Sequence, residues 1–116
     1  MTDVVAVDCE MVKLDGNEDG LGRVSIVNYH GATILDVFVL PPEGRVIKNY
    51  KTKYSGVTKE ILDDEGVPFV RAKAIAHKVL RGAKIVVGHT LDCDFAVLEF
   101  LCDTRRIRDL SKCKCY

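Results

Sequence analysis

The pattern of hydrophobic and polar positions predicts three strands in the first third of the chain. Residues 4–7 form a continuous apolar run, which is typical of a strand buried on both faces of a sheet. Residues 23–29 alternate in character, and residues 33–39 are rich in β-branched and aromatic side chains. Because His30-Gly31 separates these two segments, we expect a hairpin turn there.

Helical spacing follows in the rest of the chain. A short helix is expected at residues 58–62, and a longer one at residues 68–81 with Pro68 in its first turn and Gly82 at its end. Strands are expected at residues 85–87 and near Ile107, on either side of a further helix. The predicted apolar face of the longer helix comprises Val70, Ala74, Ala76, Val79 and Leu80, and that of the further helix comprises Leu91, Phe95, Leu98 and Cys102.

This order of elements predicts one α/β domain over residues 1–116. Three antiparallel strands joined by hairpins are continued by parallel strands through right-handed crossovers. The resulting mixed sheet has the strand order 3-2-1-4-5, with helices packed against it. The first strand therefore lies at the centre of the sheet.

Composition and charge narrow the possible functions. The 17 basic and 17 acidic residues give a net charge of zero, which argues against a passive coat for nucleic acid. With 47% hydrophobic and 29% charged residues, the chain is typical of a globular protein. No apolar run approaches the ~20 residues of a membrane span, and no secretory signal is present. The five cysteines are an odd number that favours a reduced, intracellular chain, and Cys113 and Cys115 lack the second ligand pair of a zinc site.

Asp8 and Glu10 are the first candidates for chemistry. Two residues apart on a strand, they point to the same face, about 6.6 Å apart along the backbone. Carboxylates at the end of a central apolar strand are costly to bury without a cation, and Mg²⁺ or Mn²⁺ prefers oxygen ligands. Two such ions can activate water and stabilise the leaving oxygen of a phosphodiester. Taken alone, the pair equally fits two carboxylates that simply face solvent.

Four ordered blocks resemble the DEDDh-type 3′→5′ exonuclease superfamily, in its Rex-type RNA exonuclease branch that includes the interferon-stimulated exonuclease. The first block has two parts, VAVDCEMV at residues 5–12 and RVSIVN at residues 23–28. The others are NYKTKYSGVT at residues 49–58, VVGHTLDCD at residues 86–94 and IRD at residues 107–109. The resemblance covers essentially the whole chain. It implies an RNase H-like fold and hydrolysis of phosphodiester bonds at the 3′ ends of RNA or of single-stranded nucleic acid.

The resemblance also implies roles for individual residues. Asp8, Glu10 and Asp94 correspond to the family's ligands for a two-metal site that takes Mg²⁺ or Mn²⁺. Met11 corresponds to a neighbour of the terminal nucleoside. Lys51 stands where the family usually has an arginine, and it can contact phosphate without the bidentate fork. Asp92 competes with Asp94 as third ligand, because the two point to different faces of the helix, and the block alignment favours Asp94.

The family's mechanism needs two further residues, a histidine that acts as general base and an aspartate five positions later. Both follow the last strand in the family, and the chain stops before them, so we expect an incomplete domain that is weak or inactive. His89 and Asp94 have this spacing, but their context matches the preceding motif. His30 is expected in a turn and His77 on a solvated helix face. The alternative function is a pseudo-exonuclease that binds nucleic-acid ends or a protein without cleaving.

Two surface predictions complete the picture. Absent helices would leave an apolar part of the sheet open to a protein partner or a second copy. Lysines alternate with Tyr50 and Tyr54 over residues 48–54, a combination that suits single-stranded nucleic acid. Tyr50 fits a base contact or a core anchor equally well, whereas Tyr54 is expected in the core. The resemblance further implies a nuclear or nucleolar protein, and nothing in the sequence suggests secretion or a membrane.

Overall fold

A six-stranded mixed sheet forms the centre of the computed structural model, which describes residues 3–112. The strands are β1 (Val4–Leu14), β2 (Asp19–Asn28), β3 (Thr33–Phe38), β4 (Ile47–Asn49), β5 (Ile85–Gly88) and β6 (Ile107–Asp109). The helices are α1 (Thr52–Ser55), α2 (Lys59–Glu65), α3 (Phe69–Arg81) and α4 (Leu91–Leu98). Short 3-10 turns lie at Asp15–Asn17, Thr104–Arg106 and Leu110–Lys112. Cys113 and Cys115, weighed above as zinc ligands, lie outside the described residues.

The strand order is β3-β2-β1-β5-β6, with the last two strands parallel to β1. This confirms the predicted order and the central place of the first strand. The additional strand β4 was not predicted, and it pairs with the end of β1 through Lys13 and Leu14. No helix within residues 3–112 is long and apolar enough to cross a membrane.

The central strand β1 contributes to two separate hydrophobic clusters. Val5, Val7 and Cys9 lie in the main core beneath α3 and α4. Val12 and Leu14 project from the opposite face of the strand and lie in a second cluster with residues of α2 and of the segment around α1. One strand therefore has its first half covered from one side and its second half covered from the other.

Helix α3 begins after Pro68 and ends at Gly82, as predicted, and its predicted apolar face is confirmed in part. Ala76 and Leu80 are fully buried and Val79 packs against the main core, whereas Val70 is 77% exposed and Ala74 is also exposed. The buried residues Ala72, Ala76 and Leu80 follow an i, i+4 stripe, and its two alanines allow the helix to approach the sheet closely.

His77 and Cys102 also differ from expectation. His77 is half-buried, with its Nε2 atom 2.7 Å from the Leu98 carbonyl oxygen and its ring edge-on to Phe100. The chain that follows α4 folds back over this part of α3, so the histidine does not lie on a solvated face. Helix α4 ends at Leu98, because the next residue, Glu99, adopts a left-handed backbone conformation with φ of 55°. Cys102 therefore lies beyond the helix.

The face of the sheet opposite the main core carries a half-buried apolar patch. Its members are neighbours in the strand register, with Val4 beside Ile85 and Ala6 beside both Val87 and Val27. Their counterparts on the other face are buried to within a few per cent of full burial. The expected open apolar surface is thus present in the described residues, as a patch of half-buried side chains.

Candidate active site

The candidate site lies where the parallel strands β1 and β5 separate. Strand β5 pairs with β1 only as far as Ala6 and ends at Gly88. A Cβ atom at Gly88 would lie 2.3 Å from the Leu91 Cδ2 atom and 3.0 Å from the Val7 carbonyl oxygen. Only glycine therefore allows α4 to turn in this tightly against β1, and the turn brings the first residues of α4 beside the free edge of the strand.

Asp109, at the end of β6, fixes the start of α4. Its carboxylate accepts hydrogen bonds from the backbone N–H groups of Thr90 and Leu91, both at 2.9 Å. Thr90 has a φ of 56°, so these bonds hold a left-handed residue at the helix start. Hydrogen bonds from Ser111 and these N–H groups hold the pKa of Asp109 well below its usual range. Asp109 was not predicted as a site residue, although it belongs to the last block of the resemblance.

Asp8 and Glu10 project from the same face of β1, two residues apart, with Asp8 exposed and Glu10 half-buried. Burial raises the pKa of Glu10, and the charge of Asp8 raises it further. Arg23, which faces Glu10 in the strand register, acts in the opposite direction. The Arg23 guanidinium is itself held by Asp36 through two hydrogen bonds of 2.8 Å. This cation beside the pair was also missed from the sequence.

Asp94 is the buried member of the carboxylate group, with a relative exposure of 4%. Its pKa is raised to about 7, chiefly by burial and then by the charge of Asp8, with a smaller contribution from Glu10. A hydrogen bond from the Cys9 backbone N–H opposes this rise. The Oδ2 atom of Asp94 is buried and has no hydrogen-bond partner.

The structure thus brings Asp8, Glu10 and Asp94 into mutual electrostatic contact. Asp92, the competing ligand, is exposed in the first turn of the same helix. Cys9 lies behind the carboxylates, and burial together with their charges raises the pKa of its thiol, so the thiol stays protonated. It therefore packs in the core as a neutral side chain.

A divalent cation suits this donor set in two respects. The unpartnered oxygen of Asp94 needs a positive partner, and oxygen donors that repel one another are those that Mg²⁺ and Mn²⁺ accept. Against this, no group of three or more His, Cys, Asp or Glu side chains within residues 3–112 is already drawn together closely enough to hold an ion. Binding would require the side chains on β1 to turn toward Asp94.

The other residues considered from the sequence differ in burial. Met11 is half-buried and packs against the main core. Lys51 is exposed, in a left-handed conformation with φ of 49° immediately before α1. His89 is exposed at the end of β5, and its Nδ1 atom lies 3.0 Å from the Thr90 hydroxyl.

The predictions for the two tyrosines are resolved by their exposure. Tyr54, expected in the core, is 79% exposed, so that prediction is wrong. Tyr50 is half-buried and packs against the second cluster, as a core anchor would. The short helix α1 turns Tyr54 away from the sheet, an orientation that alternation along the sequence does not reveal.

Comparison with known proteins identifies relatives over nearly the whole chain. Interferon-stimulated 20 kDa exonuclease-like 2 of Mus musculus is 39% identical over 111 residues, which are 94% of this chain and 29% of the relative. Apoptosis-enhancing nuclease of Homo sapiens is 39% identical over 107 residues, 90% of this chain and 32% of the relative. RNA exonuclease 4 of Debaryomyces hansenii is 39% identical over 112 residues, 95% of this chain and 40% of the relative. No family model matches the chain.

Solved structures support the fold. The catalytic unit of Neurospora crassa Pan2 matches with a TM-score of 0.82 and 23% identity, over 96% of this chain and 20% of that one. The Saccharomyces cerevisiae Pan2 exonuclease module in complex with AAGGAA RNA matches with a TM-score of 0.78 and 24% identity, over 93% of this chain and 21% of that one. These matches confirm the predicted RNase H-like α/β fold.

The relatives named above are longer proteins, of which this chain spans between 29% and 40%. Their names are those of exonucleases and a nuclease. The chain therefore belongs to the DEDD-type exonuclease superfamily.

Proposed function

We propose that this chain is a metal-dependent 3′→5′ exonuclease domain that hydrolyses phosphodiester bonds at the 3′ ends of RNA or of single-stranded nucleic acid. The observation that carries the proposal is the buried carboxylate of Asp94, whose Oδ2 atom has no hydrogen-bond partner, beside Asp8 and Glu10. Membership of an exonuclease superfamily supports the same reading. We propose these three residues as ligands of Mg²⁺ or Mn²⁺.

The side chains of the site have distinct tasks in this proposal. Asp8 and Glu10 offer carboxylate oxygens from the exposed face of β1, while Asp94 offers its second oxygen from the buried side. Bound ions would supply activation of water and stabilisation of the leaving oxygen. Lys51 is proposed as a contact for substrate phosphate, and Met11 as a neighbour of the terminal nucleoside.

A single-stranded substrate is favoured by the relatives and by the surface of this chain. RNA exonuclease 4 and the Pan2 module solved with RNA carry RNA in their descriptions. The exposed Lys51 and Lys53 lie between Tyr50 and Val57, which pack with Val12 of β1, and their positive charge attracts a phosphate backbone without regard to sequence. We propose RNA processing in the nucleus as the setting.

The described part of the chain offers little to act as general base, so we propose that turnover is weak. His77 is bound to the Leu98 carbonyl, and His30 lies in the hairpin after β2, near the start of β1. His89 is nearest to Asp94 in sequence but interacts with the neighbouring Thr90 hydroxyl. Absence of a general base lowers a hydrolytic rate by ~10²–10⁴-fold.

A second candidate is a binding module that holds nucleic-acid ends or a protein without cleaving them. The absence, within residues 3–112, of a ready-made cluster of metal-binding side chains favours it. Retention of three carboxylates, which repel one another at a cost in stability, favours the enzyme. The two candidates differ in whether removal of Asp8 changes the fate of the RNA.

The deciding experiment is a nuclease assay on single-stranded RNA, labelled at the 5′ end in one reaction and at the 3′ end in another, with Mg²⁺ or Mn²⁺. We expect slow shortening from the 3′ end that Asp8→Ala abolishes. Equal results for wild type and Asp8→Ala would refute the enzyme and leave the binding module. His89→Ala should retain the wild-type rate, and its inactivity would identify His89 as the base and refute our account of weak turnover.

A further inference from the structure

The segment around α1 lies on the same face of the sheet as the catalytic carboxylates. Asp8, Glu10 and Val12 alternate along β1 and therefore share one face. Val12 packs with Val57, which follows α1, in the second hydrophobic cluster. The covered part of this face thus begins two residues beyond Glu10, and the segment of residues 50–57 bounds the open part that carries the carboxylates.

Contacts at Gly22 fix this segment directly against the strand. A β-bulge places Gly22 between the partners of Glu10 and Met11. A Cβ atom there would lie 3.1 Å from Val57 Cγ2 and 3.3 Å from the Glu10 carbonyl oxygen. The backbone of a proposed metal ligand and the end of the α1 segment therefore meet around the same glycine.

Internal hydrogen bonds make the α1 segment rigid although the helix has only one turn. The Thr52 hydroxyl donates to the Val57 carbonyl at 2.6 Å, and the Ser55 hydroxyl donates to the Tyr50 carbonyl at 2.8 Å. The Val57 backbone N–H donates to the Ser55 hydroxyl oxygen at 3.0 Å. Since Ser55 and Val57 are buried, they anchor the segment to the rest of the protein, and its exposed side chains are held in fixed positions.

Tyr54 is the outermost of these side chains, with 79% of its surface exposed. The Lys53 ammonium lies 5.8 Å from the centre of its ring, at cation–π distance. Most of an aromatic side chain left in water on an anchored segment contributes little to the fold. A ring with a cation beside it has the composition of sites that stack nucleobases and attract the phosphate next to them.

We propose that Tyr54 stacks on a base of the single-stranded substrate, with Lys53 contacting the adjoining phosphate. The proposal rests on the function proposed above, and it assigns to that function a binding position one helical turn beyond Lys51. Stacking on a π-face is tolerant of base identity, so this contact strengthens binding without selecting sequence.

Tyr29 provides a matched control within the same chain. It is 76% exposed and also has a ring contact, with His30. It follows β2 in the hairpin near the start of β1, whereas the α1 segment packs against the far end of that strand. If any exposed tyrosine bound RNA non-specifically, substitution at either position would weaken RNA binding. If Tyr54 stacks on a base beside the site, only substitution of Tyr54 would weaken it.

The test measures the dissociation constant of a fluorescently labelled single-stranded RNA by anisotropy, with EDTA present so that the RNA stays intact. Tyr54→Ala should weaken binding by about 5- to 150-fold, the range found when a stacking aromatic is removed. Tyr54→Phe, which keeps the ring, and Tyr29→Ala should both bind as wild type does. When each nucleotide of the RNA is replaced in turn by an abasic one, wild-type binding should weaken at one position. At that position the same replacement should not change the affinity of Tyr54→Ala.

Each remaining outcome has a definite meaning. Equal affinity of Tyr54→Ala and wild type, or equal losses at Tyr54 and Tyr29, overturns the stacking proposal while leaving the nuclease proposal standing. RNA that wild type does not bind at all in EDTA overturns the stacking proposal, while the nuclease proposal is decided by the cleavage assay with Mg²⁺ or Mn²⁺. Equal losses for Tyr54→Phe and Tyr54→Ala would assign the effect to the hydroxyl and also overturn stacking.

Discussion

Replacing the buried Asp94 by asparagine should stabilise the metal-free protein in mildly alkaline solution. The carboxyl group has its pKa raised from 3.8 to about 7 by burial and by Asp8. The folded state therefore holds this proton more tightly than the unfolded chain does. Below both pKa values the group has no effect on stability, and a penalty develops as the pH rises from about 4 to about 7.

The size of this penalty follows from the pKa values. One pKa unit corresponds to about 1.4 kcal/mol, so a rise from 3.8 to about 7 gives at most about 4 kcal/mol. An asparagine keeps an oxygen for the Cys9 N–H but buries an amide nitrogen where Oδ2 has no partner, which costs about 1–3 kcal/mol. We therefore expect a net gain of about 1–3 kcal/mol at about pH 8.

Urea unfolding of wild type and Asp94→Asn at about pH 8 and about pH 4, with EDTA, measures this difference. At about pH 4 the variant should instead be less stable than wild type by about 1–3 kcal/mol, because wild-type Asp94 is then protonated and only the cost of the buried amide remains. Asp92→Asn is the matched control, since it removes a negative charge from the same helical turn at an exposed position. Saturating Mg²⁺ should stabilise wild type and leave Asp94→Asn unchanged.

An Asp94→Asn variant that is less stable than wild type at about pH 8 would refute this reasoning. It would mean that the carboxylate stabilises the fold as a hydrogen-bond acceptor and that its charge carries no electrostatic penalty. A gain of equal size at both pH values would likewise show that charge is not its cause.

Two further predictions concern the elements that position the site. Asp109→Asn should destabilise the protein, because a charged acceptor of the Thr90 and Leu91 N–H groups is lost, and hydrogen exchange of these two amides should accelerate most. Unchanged exchange at these amides would contradict the capping role. Gly22→Val should destabilise the protein by about 1–3 kcal/mol in the same unfolding assay, because a Cβ atom at Gly22 would lie 3.1 Å from Val12 and Val57. Gly82→Ala is the control and should be close to neutral, since a Cβ atom there meets nothing closer than 3.5 Å. Equal effects of the two substitutions would show that the bulge has room for a side chain.

Much of the sheet could be predicted from the sequence because its strands carry local signals. The apolar run at the start of β1 and the turn at His30-Gly31 are examples. Strand β4 was missed because its three residues include Lys48 and Asn49 and it exists only through pairing with the distant end of β1. On α3, Val70 was wrongly placed on the buried face and Ala72 was missed, because Val70 is more hydrophobic than the alanine, while close packing selects small side chains.

In the candidate site, too, residues with a local sequence signal could be predicted and those that depend on tertiary structure could not. Asp8, Glu10 and Asp94 were predicted as ligands through sequence blocks, and the structure places them where their charges interact. Asp109 was missed because an aspartate that caps a helix nearly twenty residues earlier has no local signature. Exposure of Tyr54 likewise depends on how α1 sits on the strand, which alternation of lysines and tyrosines does not specify.

The central position of β1 has a consequence for the order in which the molecule is built. Of the strands in this sheet, β1 comes first along the chain, and the hairpin to β2 pairs one of its edges with a close neighbour in sequence. Its other edge pairs Val4 with Ile85, and closing so long a loop is slow. Asp94 and the capping Asp109 follow Ile85 along the chain. We therefore expect the carboxylate group to come together only after this long-range pairing has formed.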